Sequence, residues 1–494
     1  MMLISIPTYG EDRAGFIEAF NSIKAADAMR HIETLADDGF EGREAGSRGG
    51  RAASGYLVSE LERLGAQPGG PSGAWYQVFQ GNYRNLLALI PGSDKDLAQE
   101  YLLIGAHYDH VGYGTRTNSY GPWGHIHNGA DDNASGTSVL LELIEATAKL
   151  PIAPRRTLLF ALWDGEEKGL LGSKHWAAEP TVSLDQLRLA MNLDMVGRLR
   201  NGRVSLYGTR TSWGLRKAAS LAARDAEVSI EFDWEVKSNS DHWTFYQRRI
   251  PFLMYHTGLH GDYHRPSDDV ELINSEGVET IARAIFPLLI DLADTPSLPG
   301  FRAECLQETP ATGRQLERTA PPLPPRLGVT WREPEGEEVG LKVTRVVSES
   351  PADIAGIRIG DRLIKIDGQA ITSGALLRSC ILEAEHEVEL VVEREGEEPS
   401  TFSVQLAGSP VRIGMAWRSD PAEPETVFLT RVVPGSLAAR CGLQVGDRIH
   451  QLDGHSFNGM TEFGRLVQDL VPGNTVVIER EGRIVDLEFP NREL

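Results

Sequence analysis

The chain has 494 residues, a net charge of −21 and 41% hydrophobic residues. That length exceeds one compact core and calls for two or three domains, while the acidic balance argues against nucleic acid or an anionic membrane surface as partner. Three cysteines, Cys305, Cys380 and Cys441, suit neither a disulfide framework nor a thiolate metal site, and no apolar run approaches the ~20 residues of a membrane span.

The start, Met1 to Tyr9, is too short and uncharged for a signal peptide, so the chain as given reads as cytoplasmic, or as exported if a leader is missing. Residues 25–300 alternate apolar runs with longer mixed segments, the pattern of an α/β domain with a largely parallel sheet. Strands are expected at Tyr101 to Ala106, Thr157 to Trp163, Leu187 to Leu193 and Pro251 to Tyr255. Helices are expected at Thr137 to Leu150 and Glu276 to Leu292, the second kinked at Pro287. Residues 307–325, with Pro310 and the run Pro321-Pro-Leu-Pro-Pro, carry too few apolar side chains to fold alone and read as a linker. Beyond it the sequence repeats with an offset of 86 residues. Leu327-Gly-Val-Thr-Trp331 returns as Ile413-Gly-Met-Ala-Trp417, Thr344-Arg-Val-Val347 as Thr430-Arg-Val-Val433, and Gly360-Asp-Arg362 as Gly446-Asp-Arg448. A period this long, with turn glycines and β-rich blocks, implies two tandem modules, 326–408 and 411–490.

Eight of the thirteen histidines fall within His107 to His127 and His242 to His264. In an open parallel sheet, ligands bind beyond the carboxyl ends of the strands. His107 follows one expected strand, Glu166-Glu167 follow another, and Asp194 ends a third. Three strands therefore bring metal-type ligands to one edge. Asp109 suits the partner that fixes the tautomer of His107. Two adjacent metals need a bridging carboxylate. Within Gly129-Ala-Asp-Asp-Asn-Ala-Ser-Gly136 that role is assigned to Asp132, leaving Asp131 as a helix cap or a supporting residue. Of the two adjacent glutamates, one binds metal and the other stands over the reacting water.

These stretches, with Trp163-Asp-Gly-Glu-Glu-Lys-Gly-Leu-Leu-Gly-Ser173, Asn192-Leu-Asp-Met-Val-Gly197 and Asp262-Tyr-His-Arg-Pro-Ser-Asp268, occur in one order. In that order they resemble the co-catalytic dizinc aminopeptidase family of metallopeptidases. Gly39-Phe-Glu-Gly-Arg43 and Ser240-Asp-His242 add to the likeness. The resemblance implies a mostly parallel mixed sheet with helices on both faces, the phosphorylase/hydrolase-like fold of zinc exopeptidases. It implies two Zn2+ per catalytic domain, one on His107 and Asp194 and one on Glu167 and His264, bridged by Asp132. Glu166 is then the general base, Tyr263 an oxyanion-stabilising phenol, and Asp268 a support for His264. His110, His125, His127, His242, His256 and His260 receive no ligand role.

The two repeats resemble PDZ domains of bacterial serine proteases, with carboxylate loops Leu327-Gly328-Val329 and Ile413-Gly414-Met415. Such loops hold a peptide's terminal carboxylate while the peptide adds as a strand. Arg326 and Arg412, just before them, add charge or lie exposed. The expected function is a zinc exopeptidase acting on peptide or protein substrates, most simply an aminopeptidase. C-terminal peptides are the expected ligands of its PDZ modules. The alternatives are a glutaminyl-cyclase-like acyl transfer on the same site and a PDZ scaffold with a non-catalytic metal domain.

Overall fold

The computed structural model describes residues 13–334 and 339–490. They fall into two compact units, the first running to Gln315 and the second holding most of both repeats.

The first unit is built on nine strands: β1 (Gln67–Pro68), β2 (Tyr76–Phe79), β3 (Tyr83–Ile90), β4 (Tyr101–His107), β5 (Thr157–Trp163), β6 (Leu187–Leu193), β7 (Arg203–Tyr207), β8 (Ser229–Phe232) and β9 (Phe252–His256). They pair in the order β1-β3-β5-β4-β6-β9-β7-β8, with β2 on β3. The central four, β5, β4, β6 and β9, run parallel, and β3 and β7 flank them antiparallel. These four are the strands expected from the continuous apolar runs, which is how a strand covered on both faces reads.

Alternate residues feed two cores. Leu102, Ile104, Ala106, Leu158 and Phe160 face one side of the sheet, whereas Leu103, Leu159, Ala161 and Trp163 face the other. The first side is covered by α1 (Arg13–Ser22), α2 (Ala25–Leu35), α3 (Arg48–Arg63), α4 (Gly136–Ala148), α6 (Leu215–Ala222) and α8 (Ser275–Asp294). The second is covered by α5 (Leu171–Ala178) and α7 (His242–Gln247). Helix α1 precedes the boundary expected at residue 25. Its Ala19 is fully buried in the same core, together with Ile23 just beyond its end. The stretch expected to be a linker carries a short helix, Pro310–Leu316. Proline at the first helical position suits it, because that N–H has no intrahelical partner.

In the second unit, the first repeat orders its strands as Val329–Arg332, Leu341–Val346, Arg362–Ile366, Glu387–Glu393 and Ser400–Gln405. The second orders Met415–Asp420, Glu423–Val432, Arg448–Leu452, Thr475–Arg480 and Arg483–Glu488 in the same way. Each repeat has its own core. Among the described residues no helix is long and apolar enough to cross a membrane.

Candidate metal centre

The carboxyl ends of the parallel strands converge on one acidic cluster. His107 is the last residue of β4, Asp194 directly follows β6, and Glu166 and Glu167 sit on the turn after β5. Asp132 comes from the wide turn Ala130–Ser135 that leads into α4, and His264 from the loop after β9. The His107 Nε2 atom lies 3.4 Å from Asp132 Oδ1 and 3.4 Å from Asp194 Oδ1. The His264 Nε2 atom lies 3.1 Å from Asp132 Oδ2 and 3.1 Å from Glu167 Oε2, yet forms a hydrogen bond with neither. Asp132 thus turns one carboxylate oxygen to each set. Ligand-type atoms of His107, Asp132 and Asp194 form one group within 4.8 Å, and those of His110, Asp132, Glu167 and His264 form another.

These donors fit two divalent cations. Imidazole and carboxylate are the ligands a zinc ion takes, and one carboxylate shared between the groups is what a metal pair requires. The buried Nε2 of His110 is likewise without a hydrogen-bond partner. Electrostatics agree, because the acids crowd every basic group among them. Burial opposes protonation of His264, but Asp132 and Glu167 outweigh it and push its pKa up to about 11. His107 is raised well above its ordinary value in the same way, by Glu166, Asp194 and Asp132 against its burial. Glu166 is raised far above the carboxylate range by burial, with Glu167, Asp241 and Asp194 adding to the effect while His107 opposes it.

The second layer differs in part from expectation. The Nδ1 of His107 is 3.1 Å from the backbone oxygen of Asp109 and 3.8 Å from its carboxylate. A hydrogen bond from Nδ1 to that carbonyl would leave Nε2 as the atom available to a metal. The Asp109 carboxylate instead accepts the N–H of Glu166 at 3.1 Å and so fixes the turn that carries the glutamates. Asp268, expected beside His264, accepts the backbone N–H groups of Asp131 and Asp132. Asp131 is no helix cap. Its Oδ1 accepts the N–H of Gly197 at 2.6 Å, and its Oδ2 lies 3.1 Å from His260 Nε2. Asn133 does the capping work, accepting from Gly136 N and Met195 N while donating to Leu193 O. Tyr263 stacks on His264 at 3.9 Å between ring centroids, and burial followed by the Asp132 and Glu167 charges drives its pKa up, so its hydroxyl stays protonated.

Two residues at the site were given no role there by the sequence reading, which left His110 without a ligand role and quoted Arg43 only within the likeness. His110 donates or accepts through Nδ1 at 2.8 Å from Glu167 Oε1; its signal was the spacing of three from His107. Arg43 is fully buried. Its guanidinium donates to the carbonyls of Tyr108 (2.9 Å), Leu35 (2.6 Å), Asn128 (2.6 Å) and Gly129 (2.9 Å). It thereby clamps the segments that carry His107 and Asp132. Burial lowers its pKa to about 10, against the pull of Asp132 and Asp268, and it remains cationic. The other unassigned histidines do local work: His127 pairs with Ser119 Oγ, His242 bonds the carbonyl of Lys237, and His256 accepts the N–H of Gly258.

In the repeats, Gly328 and Gly414 adopt φ of 85° and 82°, a region that favours glycine, and their carbonyls accept from Val347 N and Val433 N. Leu327 and Ile413 are buried in the cores, whereas Val329 and Met415 are partly buried. Arg326 is neither exposed nor part of a carboxylate site. It is buried, donating to the carbonyls of Ala407, Ile381, Leu382, Ala384 and Glu385. The tryptophan two residues beyond each loop lies against the module's long helix. Trp331 is so close to Gly374 in Gly374–Glu383 that a β-carbon there would collide with its indole, and Trp417 meets Phe463 of Gly459–Gln468 edge-on at 4.9 Å.

Residues 85–289 match the family described as Peptidase family M28, and residues 342–394 and 428–479 match the PDZ domain. A probable leucine aminopeptidase of Arthroderma otae is 29% identical over 287 residues, covering 55% of this chain and 73% of that protein. Aminopeptidase YwaD of Bacillus subtilis is 29% identical over 193 residues, covering 36% of this chain and 38% of its own. A probable periplasmic serine endoprotease DegP-like of Marinomonas sp. is 31% identical over 158 residues, covering 28% and 34%. The chain thus spans less than half the length of the latter two relatives. The solved LapA aminopeptidase of Legionella pneumophila superposes with a TM-score of 0.49 at 18% identity, covering 60% of this chain and 78% of its own.

Proposed function

The chain carries a peptidase family M28 domain followed by two PDZ domains, and on that premise we propose that it is a zinc-dependent aminopeptidase. Two Zn2+ ions are held per domain, one by His107, Asp132 and Asp194, the other by Asp132, Glu167 and His264, with His110 bonded to Glu167. Bound zinc supplies Lewis acidity, lowering the pKa of water and polarising the scissile carbonyl. Glu166 takes the proton of the attacking water and passes it to the departing amine. Burial raises its pKa above the ordinary carboxylate value, the direction that suits a group which both accepts and returns a proton. The protonated Tyr263 hydroxyl donates to the oxygen on which charge develops. The PDZ repeats recruit peptide or protein partners, and a periplasmic setting, the one named for the DegP-like relative, is proposed with them.

The observation that supports the reading most is the split of Asp132, with Oδ1 toward His107 and Oδ2 toward His264. Hydrolysis of aminoacyl p-nitroanilides tests it, alongside zinc counted by mass spectrometry. Two zinc ions per chain are expected, with activity lost to a chelator and regained with zinc. Glu166→Gln is expected to keep the metal and lose roughly 10²–10⁴-fold in kcat. Hydrolysis that survives either chelation or that substitution refutes the assignment.

A further inference from the structure

Residues 111–127, which lie between the first candidate ligand and the bridging aspartate, contain no helix or strand, yet they are held firmly. The N–H of Tyr120 and the hydroxyl of Ser119 both donate to the carbonyl of His264, at 3.1 and 3.0 Å. Arg265 returns two bonds of 3.0 Å to the carbonyls of Tyr120 and Gly121. Gly112 is tied to Gly42, and His127 to Gly112. What this strap displays is aromatic and unpaired with any core. Tyr120 is 66% exposed and Trp123 49% exposed, although rings of that size normally bury most of their surface. The Tyr120 ring stands 6.2 Å from Tyr263 and 6.5 Å from His264, so it borders the metal cluster. The Trp123 indole is pinned by a 3.2 Å bond to the carbonyl of Ser119.

Each of these rings has an arginine beside it. The Arg265 guanidinium lies 5.8 Å from the Tyr120 centroid, and Arg116 lies 5.0 Å from that of Trp123. The acids Asp132, Glu167 and Asp194 are gathered at the metal cluster itself, around His107 and His264. A substrate ammonium is repelled from the strap and drawn to the acids, so the strap meets the part of the peptide on the carboxyl side of the scissile bond. We propose that Tyr120 and Trp123 form a leaving-group subsite that selects peptides with an aromatic or large apolar residue after the cleaved bond. This rests on the aminopeptidase reading for its name, while the binding contrast below does not.

The test uses the zinc-loaded full chain and two uncleavable reduced-bond dipeptide analogues, Leu-Phe and Leu-Gly, titrated by calorimetry. Wild type is expected to bind the Leu-Phe analogue about tenfold or more tightly than the Leu-Gly analogue. Tyr120→Ala with Trp123→Ala collapses that ratio to within about threefold by weakening Leu-Phe binding, whereas Tyr120→Phe with Trp123→Phe preserves it. An equal loss for both analogues, or no preference in wild type, overturns the subsite. The kcat/KM ratio for the cleavable dipeptides is read in parallel. If nothing is hydrolysed while the binding ratio follows the rings, the peptidase reading fails and the subsite stands.

Discussion

Replacing Arg43 with Met tests whether the metal site is preformed by one buried cation. The guanidinium makes four hydrogen bonds to backbone carbonyls of Tyr108, Leu35, Asn128 and Gly129. At about 2 kcal/mol for each charge-assisted bond, they contribute about 8 kcal/mol. Against this stands the cost of burying the charge. A pKa lowered from 12.5 to about 10 corresponds to about 3 kcal/mol at 1.36 kcal/mol per unit. The net loss expected for Arg43→Met is therefore about 5 kcal/mol, a third or more of the stability of an ordinary domain. Arg43→Lys keeps the charge but not the fork, and falls between. Urea unfolding of the full chain with and without zinc reads both. Zinc, which binds the folded site, is expected to restore part of the midpoint in Arg43→Lys. A loss below about 1 kcal/mol in Arg43→Met would refute the clamp.

Glu142 on α4 accepts the N–H of Lys24 at 3.0 Å, and burial raises its pKa from 4.5 to about 7. The folded carboxyl then keeps a proton that the unfolded chain has released, so stability falls as pH rises from about 4.5 to about 7 and is flat above. Glu142→Gln is expected to gain up to about 3 kcal/mol at pH 8 and nothing at pH 4, and a pH-independent difference in melting would contradict this. His31, lowered to about 4 by burial, acts in the other direction: the folded protein loses stability as pH drops from 6.5 to about 4, and His31→Gln flattens that limb of the melting profile. Gly374→Ala forces apart Trp331 and the Glu333 carboxylate, which accepts the Gly374 N–H at 2.9 Å. Overpacking of about 1–3 kcal/mol is expected, with proteolysis of the heated chain beginning within 326–408; unchanged cleavage there would refute it.

The four central strands were legible because each is largely buried on both faces and so reads as a mainly apolar run from Tyr101, Thr157, Leu187 or Phe252. Strands β7 and β8 were not. Their mixed runs, Arg203–Tyr207 and Ser229–Phe232, are short and leave alternate residues at the surface. At the metal centre, His107 and Asp194 announced themselves by standing where apolar runs end. Asp109 and Asp268 were named as supports, but not what they support, since they act through backbone groups that residue type does not reveal. Asp268 serves the N–H groups of a turn 136 residues away, and Arg43 gathers carbonyls from three separate segments. Arg43 entered the likeness only as the end of Gly39-Phe-Glu-Gly-Arg43, and its partners become visible when those segments are brought together.

Because the ligands come from positions 107 to 264 and meet only where β4, β5, β6 and β9 lie side by side, the site has no local precursor. Parallel pairing of this kind forms late, after the cost of closing long loops has been met. A chain still being synthesised, or one cut before His264, therefore does not bring the two groups of metal-type side chains together. On the proposed reading, the capacity to load zinc becomes a report that the four central strands have paired, and the peptidase stays inert toward its neighbours until they have.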